Sequence, residues 1–227
     1  MELPYSVEVY FAQMADYNAR WFSGVISGLI LSVVMLTILV FPPLQKTIRI
    51  SRLCGFYLGL AWVWIGVFHQ IDMMAELNFM APVYGVLWIA QGGLILWFCG
   101  INEKIKFQFK NNVTGRAGLF LCLVGITFYP AGLMIVGHDW MSLSFIGTAP
   151  EPTLIFTTGL LLLAHQKNVR FLFVIPACGA GVVGLSAWLL HHPLDYLVPA
   201  SVCFALLCLL REHLTLPVST NQNVRNG

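Results

Sequence analysis

The sequence predicts an all-α integral membrane protein: a seven-transmembrane-helix bundle preceded by an N-terminal amphipathic interfacial helix. Three observations predict it. Hydrophobic residues make up 58% of the chain and charged residues only 10%, whereas a soluble domain carries about 25% charge. Seven apolar runs follow one another, most of them near the roughly 20 residues that cross a bilayer. The basic residues collect in alternate connections between those runs. So little polar material does not cover a water-facing surface, so the lipid bilayer is the main partner of this chain. A length of 227 residues suits one polytopic domain, divided into an interfacial helix (1–20), seven spans (21–210) and a cytoplasmic tail (211–227). The net charge of +2 says nothing about nucleic acid, and with no basic domain, zinc-finger spacing or RNA-binding signature no nucleic-acid partner is expected.

The N-terminus lacks the basic start of a secretory signal, because Glu2, Glu8 and Asp16 precede the first long apolar run. Within 5–20, Val7, Tyr10, Phe11, Met14 and Tyr17 recur at helical spacing, with Glu8 and Asp16 opposite. This pattern predicts a helix anchored in the membrane surface, or a lid over an outer cavity. The spans follow at 21–40 (ended by Pro42-Pro43), 53–77, 80–99, 117–137, 153–164, 171–190 and 196–210. In the second, Gly55, Gly59 and Gly66 are spaced for close helix packing. In the fourth, Pro130 predicts a kink and a freed carbonyl near Ile126. The fifth is short: from Thr153 to Gln166 it covers about 20 Å of a core about 30 Å thick. The preceding segment, with Gly147, Pro150 and Pro152, must supply the missing depth as irregular backbone buried in protein or lining a wet cavity.

Lys46, Arg49, Arg52, Lys104, Lys106, Lys110, Arg116, Lys167, Arg170, Arg211 and Arg225 all fall on one side of a seven-span arrangement. The positive-inside rule makes that side cytoplasmic, with the N-terminus outside, in a cell inner membrane. The basic and apolar alternation of 104–110 predicts a segment resting on anionic headgroups. The sequon Asn112-Val-Thr114 falls on the cytoplasmic side and is discounted. The tail from Leu216 is polar and reads as disordered. The six cysteines lie in apolar stretches without C-x-x-C pairs and read as packing residues.

Three outward-running spans end in histidine followed by aspartate: His69-Gln-Ile-Asp72, His138-Asp139 and His191-His192-Pro-Leu-Asp195. Counted from the inner basic residues, His138 and His191 lie about 33 and 32 Å up their helices, but His69 only about 25 Å. His69 therefore sits within the hydrocarbon zone, where ionisable groups face the bundle interior. His69, Asp72 and Glu76 continue the glycine face of the second span. With Gln91, His138 and Glu151 they are the candidate ligand-binding residues. Tyr129, Thr157 and Thr158 extend a polar path inward.

Asp16-Tyr17-Asn18, Trp62-Val-Trp-Ile-Gly66 with His69, Tyr129-Pro130, Gly137-His138 and the 147–157 stretch GTAPEPTLIFT, running into Gly159, resemble a family of bacterial multipass membrane proteins of unknown function, loosely labelled permeases. The resemblance implies a shared membrane fold and no particular activity. Three functions remain in play. The first, non-enzymatic, is binding or transport of a small solute or cation through the outer polar site. The second is a membrane-embedded metal-dependent hydrolase, with a divalent metal held by His69, His138 and His192. The third is an accessory subunit with a membrane-protein partner. A retinal protein is excluded because the seventh span has no lysine for a Schiff base.

Overall fold

The computed structural model describes residues 5–41, 49–164 and 167–215. Glu2, Pro42-Pro43, Lys46, Gln166, Arg225 and the tail from Leu216 lie outside the described residues. Apart from loops and one isolated bridge, Phe107 to Ala164, the described chain is helical. Helix α1 is Val7–Arg20 and α2 is Phe22–Val40. Helix α3, Ile50–Trp64, widens into a π-helix at Ile65–Met73 and closes with the turn Met74–Glu76. Helix α4, Ala81–Ile95, likewise ends in a π stretch, Leu96–Ile101. Helices α5, Val113–Leu123, and α6, Tyr129–Val136, are joined by the π stretch Val124–Phe128. Then come α7, Pro150–Leu162, α8, Val174–Leu189, and α9, Leu197–Thr215.

Among the described residues, six helical stretches are long and apolar enough to cross a membrane: Phe22–Val40, Ile50–Glu76, Ala81–Ile101, Val113–Val136, Val169–Leu189 and Pro193–Glu212. Their outer flanks carry exposed Ile30, Leu60, Val86, Ile135, Trp188 and Leu207. Such a sheath of large apolar side chains is stable in hydrocarbon and not in water.

Helix α7 is different. All of its 13 residues are buried, packed among α3, α5, α8 and α9. At about 20 Å it is too short to reach both membrane surfaces. Two segments fold inward to meet it. From one end comes 143–149, irregular as expected, with the Ile146 carbonyl and Gly147 lying against Gly28 of α2, whereas Pro150 and Pro152, expected in the same irregular segment, open the first turn of α7. Gly28 is six residues into α2, about 9 Å below its start. Gly147 takes the left-handed φ of +85° that glycine adopts without strain. Its N–H donates to the Thr153 hydroxyl at 2.8 Å, which locks the loop onto α7. From the other end comes 104–110. Its alternation has a packing cause: Ile105 and Phe107 are buried, while Lys104, Lys106, Gln108 and Lys110 point outward. The Gln108 N–H donates to the Leu163 carbonyl, and the Phe107 N–H to Ser51 Oγ.

Two glycine seams hold the layers. A Cβ on Gly66 would lie 2.7 Å from the Gly85 carbonyl, and one on Gly92 2.7 Å from that of Gly59. The predicted glycine face of α3 thus packs on α4. A Cβ on Gly118 would lie 2.7 Å from the Gly159 carbonyl, which draws α5 onto α7. The π stretch that ends at Phe128, two residues before Pro130, supplies a wide turn that accommodates the missing N–H and the ring. Asn112 of the sequon is a helix cap, accepting from the Gly115 N–H at 2.8 Å.

Helix α1 lies across one end of the bundle. Its predicted apolar face is buried in protein: Phe11, Met14, Tyr17 and Asn18 face inward. Asn18 donates to the carbonyls of Met141 and Leu143, and Tyr17 to that of Thr148. The face expected to enter lipid is therefore occupied by contacts with the 140–149 segment.

Candidate functional site

The three histidine–aspartate repeats become three different structures. At the end of α8, His192 Nδ1 pairs with Asp195 Oδ1 at 3.1 Å, and the Tyr129 hydroxyl donates to the same carboxylate. This is the one repeat that forms a pair. In the second, His138 stacks on Phe11 with ring centroids 3.6 Å apart, while Asp139 starts the turn 140–142, its carbonyl accepting from Ser142.

The first repeat departs furthest from expectation. His69 is buried, 1% exposed, edge-on to Tyr17. Asp72 is turned away to Arg20 at 3.4 Å, and Glu76 accepts from Gln13 at 2.8 Å. The shared face of His69, Asp72 and Glu76 assumed α-helical rotation. The π-helix bonds i to i+5, puts more residues into each turn and so rotates less per residue, which parts residues three apart. Asp72 and Glu76 accordingly fasten α1 to α3 and do not share the site with His69.

Below α1 lies a cavity of about 140 Å³ between α3, α4, α7 and α8. Trp62, Leu87, Trp88, Val182 and Val183 make its walls apolar, and Tyr5, Val7, Tyr10 and Phe11 roof it. Its polar groups come from separate elements: His69, Glu151, His192 and Asp195. Glu151 stands in the first turn of α7, where the helix dipole favours a carboxylate. Tyr10 donates to its Oε1 at 3.3 Å. Four buried atoms here have no partner: both ring nitrogens of His69, Glu151 Oε2 and His192 Nε2. Leaving a buried polar atom unpaired costs about 1–3 kcal/mol, so four of them on residues that line one cavity mark a place for a guest. The space holds several waters or a small solute.

Two titrations outside the spans bear on the site. Burial disfavours charge on His192, but its hydrogen bond to Asp195 and the charges of Asp195 and Glu151 hold it above the usual histidine value. Burial, and then the charge of His192, hold His138 below it.

Gln91 does not line the cavity. It is buried and its amide donates to the Leu172 carbonyl, tying α4 to the segment before α8. Thr157 and Thr158 bond back to the carbonyls of Thr153 and Leu154, and Trp62 donates to Thr157. The inward polar path is thus closed. Nor do the donors fit a metal. Among the described residues no three His, Cys, Asp or Glu side chains are grouped to hold an ion. His138 and His192 are 5.8 Å apart at their ring centroids, and His69 contacts Tyr17 rather than either. The divalent-metal centre of His69, His138 and His192 is therefore not assembled. Sequence reasoning missed Tyr10 and Trp88 as site residues; their spacing carries only a burial signal.

Residues 7–220 match DUF6064, a family of unknown function. The chain belongs to this family. The match covers α1 to α9. No curated protein and no solved structure matches the chain. For this DUF6064 protein the cavity, rather than any relative, must carry the functional reading.

Proposed function

We propose that this DUF6064 protein is a multipass membrane protein that binds a small solute, as receptor or carrier, in the cavity beneath α1. The observation that carries this reading is one space lined by His69, Glu151 and His192, each of which holds a buried side-chain atom without a partner. In this reading α1 is a lid. Its apolar side closes the cavity, and the links Arg20–Asp72 and Gln13–Glu76 latch it to α3.

The seven-crossing arrangement belongs to the same reading. Helix α7 and its two inward loops serve as the fifth crossing. Arg49, Arg52, Lys104, Lys106, Lys110 and Arg116 gather at the end opposite α1, which favours that end as cytoplasmic and the lid as external. Reporter fusions at each terminus test this: a C-terminal reporter is active inside and an N-terminal one outside. The same location for both would remove the seven-crossing arrangement.

The binding reading is tested by ligand-dependent thermal stability of purified protein. At about 100 times its Kd, a solute bound only by the folded state adds about 2.7 kcal/mol. A stabilising solute found by screening should shift the wild type by several degrees and His69→Leu by none. An equal shift in His69→Leu would remove His69 from the site.

A further inference from the structure

The walls of the cavity say where its guest comes from. On α8 the lining residues are Ile175, Cys178, Gly179, Val182, Val183 and Ser186. They recur at three- and four-residue steps, so one full stripe of α8 faces the cavity over about 16 Å. Opposite stands α4, contributing Tyr84, Leu87 and Trp88. Leu87 is 44% exposed, and Cys178 is also exposed, although both line the cavity. A residue that lines a cavity and is exposed at once marks its mouth. Leu87 lies six residues into α4, about 9 Å below the α1 end, and Cys178 eleven residues below the end of α8, about 17 Å. At those depths a crossing helix is surrounded by hydrocarbon and not by water. Above, Tyr5, Val7, Tyr10 and Phe11 roof the α1 end of the cavity.

We infer that the cavity opens sideways, between α4 and α8, into the outer leaflet, and takes up a membrane-dissolved amphipath with one hydrogen-bonding head and an apolar chain. The chain lies along the α8 stripe against Trp62 and Trp88, which stack at 4.1 Å. The head meets His69, Glu151 and His192, whose unpaired atoms include ring nitrogens and a carboxyl oxygen. A hydroxyl, carbonyl or amide head satisfies such a set, whereas a permanently charged one would have to enter through hydrocarbon. This inference rests on the binding reading above and adds the route and the class of guest.

The test uses the full chain in lipid nanodiscs and two photoreactive alcohols. One is a diazirine-bearing dodecanol dissolved in the bilayer; the other is a short, water-soluble diazirine-bearing alcohol with the same head. Adducts are mapped by peptide mass spectrometry. The dodecanol probe should label peptides containing Trp62, Trp88 and Glu151, and unlabelled dodecanol should reduce this at least fivefold. The short alcohol should label them at least tenfold less. Leu87→Trp combined with Val183→Trp narrows the mouth and should reduce cavity labelling at least fivefold. Labelling around Trp188, on the lipid-facing flank, should stay unchanged and so report an intact fold. If only the short alcohol labels the cavity, the sideways route and the amphipathic guest are overturned while the binding site stands. If neither probe gives competed labelling, the binding reading falls with them. Undiminished dodecanol labelling in the narrowed variant overturns the sideways route.

Discussion

His69 is held in protein with both ring nitrogens unpaired, three residues from an aspartate that has turned to Arg20. A residue kept for folding alone would be better apolar at this position. His69→Leu should therefore raise the thermal midpoint, by the equivalent of about 1–3 kcal/mol, while removing solute binding. Calorimetry in detergent checks the first effect. His192 is the opposite case, a histidine whose charged form the fold favours through Asp195. Its folded value lies above the ordinary 6.5. Its contribution is thus complete below pH 6.5 and is lost as pH rises through the folded value. Thermal midpoints should fall over that interval in the wild type and much less in His192→Gln; an equal fall in both would assign the dependence elsewhere. His69, Glu151 and His192 were legible in the sequence because ionisable residues are rare in apolar runs. Which of them share a space was not. Asp72 looked like the partner of His69 only under α-helical rotation, and the π-helix that separates them has no simple residue signature.

At the scale of elements, two glycine seams and one central helix organise the bundle. Gly118→Ala would drive its methyl group to 2.7 Å from the Gly159 carbonyl, an overpacking that costs about 1–3 kcal/mol. Gly93→Ala meets nothing within 4 Å and should be neutral or stabilising by up to about 1 kcal/mol, from helix propensity. Denaturation of the two variants side by side separates packing from propensity. Helix α7, wrapped by α3, α5, α8 and α9 and closed at both ends by inward loops, should hold the slowest-exchanging amides in the chain. Hydrogen exchange on the reconstituted protein reads this out, and faster exchange in α7 than in α2 would contradict it. The shortness of the fifth apolar run and the irregularity before it were readable from Gly147, Pro150 and Pro152. The second inward segment was not, because the alternation of 104–110 suits a headgroup-facing strand as well as one that buries Ile105 and Phe107.

For the whole molecule, composition alone set the solvent. A chain that is 58% hydrophobic and only 10% charged has its stable exterior in lipid, where backbone must form helices or a closed barrel, and apolar runs near 20 residues select helices. The all-α membrane architecture follows from those two facts. Hydropathy also marked the apolar runs and the charge asymmetry between the two ends, since both are sums over many residues that no single contact reverses. The tertiary structure decided what such sums do not contain. It placed the apolar side of α1 on protein instead of lipid, because Asn18 and Tyr17 find carbonyls in 141–148. It left one histidine–aspartate repeat of three as a pair, because helix rotation and termini set side-chain direction. It set His69, Glu151 and His192 around one cavity, because residues far apart in sequence meet only when α3, α7 and α8 pack. The sequence by itself determined that this protein lives in a membrane and that most of its histidines and acidic residues fall in different connections from its basic ones. Which of those residues face one another was left to packing, where distances of a few ångströms decide and hydropathy is silent.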